Sequence, residues 1–132
     1  PLCYGGGIKT IEHAVRIIKL GVEKVAISSA FIENPDLLVE IITEIGSQSV
    51  VASIDVKRND KNEYQIYSHA KRVVEKSLID FINYTTSLGV GEILLTSVDR
   101  EGTWEGYDTD LLNTINNMID MPFMHSKGVM IR

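Results

Sequence analysis

Short apolar runs alternate with segments of helical periodicity along this 132-residue chain, and the alternation limits the folds open to it. The runs are four to seven residues long and continuously apolar, which is typical of strands buried on both faces. Four complete strand–helix alternations precede a fifth strand. We therefore predict an α/β fold with a parallel sheet covered by helices, either doubly wound or part of a β/α barrel.

Capping and turn residues set the predicted boundaries. Thr10 is a suitable N-cap for a helix that Gly21 stops, and Asn34-Pro35-Asp36 starts a second helix that Gly46 ends. Residues 64–67 are predicted to form a small hairpin arm. The predicted strands are residues 1–4, 24–27, 49–54, 92–98 and 122–125, and the later helices are residues 74–88 and 108–118.

An internal similarity favours the barrel. Residues 1–8 (PLCYGGGI) line up with residues 122–129 (PFMHSKGV), four strand–helix units later, as expected for two half-barrels. A complete barrel takes about 200–250 residues, so this chain is expected to form an incomplete one. Its interior side chains would face water and drive self-association, unless the sheet rearranges so that helices cover them. The candidates, depending on register, are Val25, Ile27, Ile93 and Leu95.

Composition and charge narrow the class of protein. The length and 44% hydrophobic content predict a single domain over residues 1–132, and a net charge of −5 argues against nucleic-acid binding. Apolar stretches are too short for a membrane span, and a cytoplasmic protein is predicted. Cys3 is interpreted as a buried, inert thiol in a reducing compartment. The chain opens at Pro1 without an initiator Met or a signal-peptide pattern, so we expect it to be cut from a longer chain.

A glycine run is the first candidate binding site. Gly5, Gly6 and Gly7 separate a strand from a helix N-terminus, where bare backbone amides can approach a phosphate. Ser28 and Ser29, after the next strand, would add hydroxyl donors. The alternative is a tight turn that binds nothing.

Asp55 is the candidate acid or base, because it closes an apolar strand at the expected mouth of a barrel. The alternative is an ion pair with Lys57 or Arg58. Another candidate is the polar loop of residues 96–108, in which Asp99 and Glu101 would flank a substrate. Gly102 and Thr103 of the same loop would meet a second phosphate, and a capped solvent loop is the alternative. No metal is expected, because oxygen-only spacing of this kind is common in loops.

Two charged residues begin strands at the opposite mouth. Lys24 and Glu92 stand where apolar residues would seal the barrel bottom. Surface exposure explains either residue alone. Together they are predicted to form an ion pair across the bottom opening.

Five segments resemble the cyclase subunit of imidazole glycerol phosphate synthase. The resemblance implies a TIM (β/α)8 barrel, of which strands three to seven are present here. It also implies a lyase step in histidine biosynthesis that uses ammonia from a glutaminase partner and a phosphorylated substrate, without metal or organic cofactor. The segments are YGGGI (4–8), KVAIS (24–28), IENP (32–35), ASIDVKR (52–58) and GEILLTSVDREGT (91–103).

The same resemblance implies residue roles. Asp55 matches one of two catalytic aspartates, Lys24 and Glu92 match charges of the ammonia gate, and Glu23 matches a partner-facing acid. The residues that match phosphate or substrate positions are Gly7, Ser28, Ser29, Thr96, Glu101, Gly102, Ser126 and Gly128.

Departures from the family pattern leave other functions open. Strand one with the first catalytic aspartate is absent, so the isolated chain is expected to be inactive. Residues 71–75 replace a glycine-rich segment, and Lys127 and Met130 replace glycines. The alternatives are a related cyclase-like subunit for amidation of a surface sugar, or a noncatalytic phosphate-binding half-barrel that self-associates.

Overall fold

The computed structural model describes residues 3–5, 7–68, 73–74, 77–97, 123–125 and 128–131. Within those ranges, none of the helices is long and apolar enough to cross a bilayer. A 3-10 turn, Ser47–Ser49, lies between the third helix and the third strand. The elements are β1 (Cys3–Gly5), α1 (Ile11–Lys19), β2 (Lys24–Ile27), α2 (Ser29–Glu33), α3 (Pro35–Ile45), β3 (Val50–Arg58), β4 (Tyr64–Tyr67), β5 (Val73–Val74), α4 (Leu78–Ser87), β6 (Glu92–Ser97), β7 (Phe123–His125) and β8 (Gly128–Ile131).

Four parallel strands, here called the central strands although β1 is a sheet edge, lie next to one another. β1, β2, β3 and β6 lie side by side in that order, and at least one helix separates each from the next along the chain. Strand order follows chain order without the reversal that marks a doubly wound sheet. The predicted barrel-type fold is confirmed, as an open partial barrel over the described residues.

Local signals explain α1 and α3. The hydroxyl of Thr10 accepts a hydrogen bond of 3.1 Å from the backbone N–H of His13, which satisfies one of the free donors at the start of α1. Pro35 occupies the first turn of α3, where its missing N–H costs nothing. Both helices end before a glycine of positive φ, Gly21 at 95° and Gly46 at 92°.

The core lies between the helices and one face of the sheet. Val25, Ile27, Ile93 and Leu95 are at most 3% exposed and pack in the same cluster as helix residues such as Leu38. The expectation that these four face the barrel interior was wrong. Their register pairs them with Val50, Ala52 and Ile54 on the helix side, where each buried side chain contributes roughly 1.5–3 kcal/mol.

The opposite side of the central strands is here called the inner face. Because side chains alternate along a strand, it holds the residues between the core positions. Val51 is buried there, whereas the polar members remain partly accessible. The inner-face residues of β2, β3 and β6 are Lys24, Ala26, Val51, Ser53, Asp55, Lys57, Glu92, Leu94 and Thr96.

The predicted hairpin arm is confirmed, and it makes β3 longer than expected. Residues 55–58 pair antiparallel with β4, so the strand continues past the predicted end at residue 54. In the turn, the side-chain oxygen of Asn59 accepts 2.9 Å hydrogen bonds from the backbone N–H groups of Lys61 and Glu63. Asn62 adopts the left-handed conformation, at φ 64°. Asn tolerates that conformation better than most residues.

Two helix predictions needed correction. α4 begins at Leu78 rather than 74, because Ser77 caps it through a 3.2 Å bond from the N–H of Asp80 and the preceding valines form β5 beside β4. β-branched residues favour such pairing. The five-residue helix α2 was not predicted. The helix predicted over residues 108–118 lies outside the described residues.

The predicted fifth parallel strand was also wrong. β7 pairs antiparallel with β8, and β8 pairs antiparallel with β6. β8 therefore occupies the position beside β6 that the predicted parallel strand would take, and the two residues between β7 and β8 in the sequence are enough for a hairpin between those two strands.

Gly91 provides a test of the packing between the start of β6 and the 3-10 turn. A Cβ at this position would clash with the carbonyl oxygen of Ser47. It would also lie 3.0 Å from the carbonyl carbon of Ser47 and 3.4 Å from the Cα of Gln48. We expect Gly91→Ala to lower the free energy of unfolding by about 1–3 kcal/mol, measured by urea denaturation. Gly5→Ala is the control, because its Cβ would make an ordinary 3.6 Å contact with Ala26. Equal losses in the two variants would contradict this packing.

Candidate functional site

The C-terminal ends of the central strands bring several predicted site residues to one edge. Asp55 and Thr96 are register partners on β3 and β6, both on the inner face. Gly7 follows β1 and Ser28 follows β2 at the same edge. Parallel pairing produces this arrangement, since the carboxyl ends of parallel strands meet.

Asp55 occupies the point where β3 changes partners. It is paired with Thr96 on one side and with Tyr67 of β4 on the other, and its side chain is half-buried. β4 takes the edge of β3 that β2 leaves after Ala52. A partly desolvated carboxylate beside a hydroxyl and a phenol can exchange a proton with a bound ligand.

The glycine run is partly described. Gly7 has φ 50°, the left-handed conformation expected of a turn glycine, and α1 begins four residues later. Ser28 is half-buried, and its side chain makes no capping bond to α2. The backbone of Ser29 begins α2. Gly6 lies outside the described residues.

The second predicted substrate end is mostly outside the described residues. Glu101, Gly102 and Ser126 fall there, so their roles stay predictions. The structure places Gly128, which matches a phosphate or substrate position of the family, in β8 opposite Thr96. Asp55, Thr96 and the backbone of Gly128 are therefore on adjacent strands.

The opposite edge carries the predicted ion pair. The ammonium of Lys24 donates to Oε1 of Glu92 across the inner face, between strands separated by β3. The side chain of Glu92 is 11% exposed and that of Lys24 is 26% exposed. Removing one partner would leave the other charge partly desolvated, at a cost of about 1–3 kcal/mol.

Cys3 stands beside this ion pair. The prediction of a buried thiol was wrong, because β1 is the edge strand of the described sheet and Cys3 is exposed. Partial desolvation of the sulfur raises the pKa of Cys3, the Glu92 carboxylate raises it further, and Lys24, its register partner, lowers it. The thiol is therefore a weak nucleophile at neutral pH.

Lys57 and Tyr67 were missed as members of the site. They share the inner face with Asp55, and the ammonium of Lys57 lies 5.9 Å from the centre of the Tyr67 ring. The i, i+2 spacing of Asp55 and Lys57 was an available signal, whereas the position of Tyr67 depends on the register of β4.

Sequence comparison decides the family. A profile described as "Histidine biosynthesis protein" matches residues 1–131. The chain belongs to this family. The family is a TIM barrel, in agreement with the strand order described above.

Curated relatives extend the comparison. The chain is 40% identical over 131 residues to "Imidazole glycerol phosphate synthase subunit HisF" of Alkaliphilus metalliredigens, covering 97% of this chain and 51% of the relative. For the protein of that name in Dictyoglomus thermophilum the identity is 41%, with the same coverage. "Putative imidazole glycerol phosphate synthase subunit hisF3" of Vibrio vulnificus is 41% identical over 92% of this chain and 48% of its own length. The chain thus spans about half the length of these relatives.

Alkylation of Cys3 tests the electrostatics of the ion-pair edge. Glu92→Gln removes a charge that raises the pKa of Cys3, so more thiolate is present at a given pH and alkylation by iodoacetamide at pH 8 should be roughly two- to fivefold faster. Lys24→Met removes the charge that lowers this pKa and should slow the reaction. Rates at high pH, where the thiol is fully ionised, serve as the control. Shifts of the same sign in both variants would contradict this account.

Proposed function

We propose that this chain is part of an imidazole glycerol phosphate synthase cyclase subunit. In that reaction, ammonia from a glutaminase partner enters a phosphorylated aminoimidazole carboxamide nucleotide, which is cleaved and closed to imidazole glycerol phosphate in a lyase step. The observation that carries the proposal is the family match together with Asp55 and Thr96 side by side at the C-terminal sheet edge.

Asp55 is assigned the role of general acid or base in ring closure. Its half-buried position on the inner face favours proton exchange with a ligand, and such a group contributes about 10²–10⁴-fold to a rate. Thr96 would orient the same end of the substrate, with Glu101, Gly102, Ser126 and Gly128. The opposite phosphate is assigned to Gly6, Gly7, Ser28 and Ser29, where backbone amides of a β–α turn favour an anion.

The ammonia route is assigned to the other edge of the sheet. The Lys24–Glu92 ion pair lies on the inner face at the N-terminal ends of the strands. Opening it would admit uncharged ammonia, while the paired charges keep bulk water and ions out. The glutaminase partner would dock at this mouth, near Glu23, which is exposed.

Steady-state kinetics of the complete subunit test the assignment of Asp55. With added ammonium salt, Asp55→Asn should lower kcat by about 10²–10⁴-fold, because the proton-exchanging group is lost. Gly7→Ala should act mainly on KM, since a methyl group would strain the positive φ of a binding turn. Glu12→Gln, a change at an exposed acid of α1, is the control.

The isolated 132-residue chain should give no measurable turnover in the same assay, because it lacks the strand-one aspartate that the resemblance implies. Full activity of Asp55→Asn, or a complete subunit without cyclase activity, would contradict the proposed function. Turnover by this chain alone would contradict only the requirement for the strand-one aspartate.

We also propose that isolated chains self-associate through β1. The strand forms one edge of the described sheet, its three residues are exposed, and unpaired edges template further pairing. Size-exclusion chromatography with light scattering should show a dimer that Tyr4→Lys weakens, whereas Leu20→Lys, at an apolar residue 75% exposed on α1, leaves it intact. A monodisperse monomer that is stable over the concentration range measured would contradict this.

A further inference from the structure

The β3–β4 hairpin has two faces with different contents. Val56 and Ile66 are register partners and fully buried, so this face belongs to the core. Lys57 is paired with Gln65, and Asp55 with Tyr67, on the inner face. The polar half of the hairpin therefore continues the surface on which Asp55 lies.

Two cationic side chains of the hairpin, Arg58 and Lys57, lie on its opposite faces and make different contacts. The guanidinium of Arg58 lies 5.0 Å from the centre of the Tyr64 ring and donates 2.8 Å hydrogen bonds to the Tyr64 hydroxyl and to Oδ1 of Asn62. These contacts connect the turn to the strands, so Arg58 has a structural role in the hairpin. They also occupy guanidinium N–H donors, which are then not available to a ligand.

Lys57 is held differently. Its side chain is exposed, and its ammonium lies over the Tyr67 ring at 5.9 Å, within the range of a cation–π contact. The ring attracts the charge electrostatically and favours this position of the ammonium, while the three N–H groups remain able to donate to oxygen. A positioned donor of this kind selects ligands that carry acceptor oxygens.

A cavity of about 290 Å³ lies next to this ammonium. Its volume is near the lower limit of small-molecule sites and suits one polar part of a ligand. The Gln65 carboxamide supplies a second donor on the same face as Lys57, and the carboxylate of Asp60 disfavours a second anionic group. The lining residues are Lys57, Arg58, Asn59, Asp60, Gln65 and Tyr67.

We propose that Lys57, positioned by Tyr67, binds an acceptor oxygen of the ligand on which Asp55 acts, and that this contact holds the ligand in the hairpin cavity. The inference rests on the proposed function in one respect, because it takes Asp55 to be the group that exchanges a proton with the ligand. The oxygen belongs to a phosphate or to a carboxamide. Both are strong acceptors for an ammonium.

Titrations of the 132-residue chain distinguish the two sources, since every lining residue belongs to it. The probes are inorganic phosphate, and 5-aminoimidazole-4-carboxamide riboside, which carries the carboxamide without phosphate. For the probe that binds, Lys57→Met should raise Kd about tenfold, the loss expected for one hydrogen bond from a charged donor. Lys61→Met is the matched control, because it removes the same charge from an exposed lysine of the same hairpin, and it should change Kd less than twofold.

Variants of Tyr67 test the positioning. Tyr67→Phe keeps the ring and should leave Kd within about twofold, whereas Tyr67→Leu removes the cation–π contact and should raise Kd roughly three- to fivefold. Urea denaturation midpoints equal to that of the parent chain exclude unfolding as the cause for Tyr67→Leu. The side chain of Lys57 is exposed, so Lys57→Met is expected to leave the urea denaturation midpoint unchanged.

The outcomes separate this inference from the proposed function. Equal Kd values for Lys57→Met and Lys61→Met, or no binding of either probe at about 10 mM, would overturn the inference and leave the kinetic role of Asp55 untouched. Binding that depends on Lys57, in a complete subunit without cyclase activity, would support the inference and overturn the proposed function.

Discussion

Backbone pairing of β3 is the constraint on which the remaining structure depends. β3 pairs with β2 and then β4 along one edge, and with β6 along the other. Its register fixes which residues of all four strands point toward the helices. Once Val50, Ala52 and Ile54 face the core, Asp55, Lys24 and Glu92 must share the inner face. A shift by one residue would bury the charges and expose the aliphatic side chains.

Local sequence signals, such as capping and turn residues, were sufficient to predict many of the helix boundaries. Thr10 sets a helix end through its side-chain hydroxyl, whereas Gly21, Pro35 and Gly46 do so through their backbone conformation. The structure agrees with all four predicted ends. The orientation of the apolar runs was not predictable in the same way. A run such as VAI has no alternation, so whether Ala26 or Val25 faces the helices depends on neighbouring strands. The antiparallel C-terminal strands likewise depend on long-range pairing.

The candidate site likewise contains residues that local sequence predicts and residues whose position depends on strand pairing. Asp55, Thr96, Lys24 and Glu92 were predictable because each stands close to where the parallel pairing of its strand begins or ends, and parallel strands bring such positions together. Tyr67 was not, because its place beside Asp55 comes from the register of a hairpin. The two edges are separated by the four-residue step from Glu92 to Thr96, about 13 Å of extended chain. On the proposed function, ammonia would travel that length past Val51, Ser53 and Leu94.

The hairpin also affects the order in which contacts become favourable as the chain folds. Five residues separate β3 from β4, whereas β3 and β6 are joined through residues 59–91. Loop-closure entropy rises with the logarithm of loop length, so the hairpin is the less costly of the two pairings to form. Hairpins form in about 1–10 μs. With Arg58 and Tyr64 closing its turn, the segment beside Asp55 can be ordered by local contacts before the more distant strand arrives.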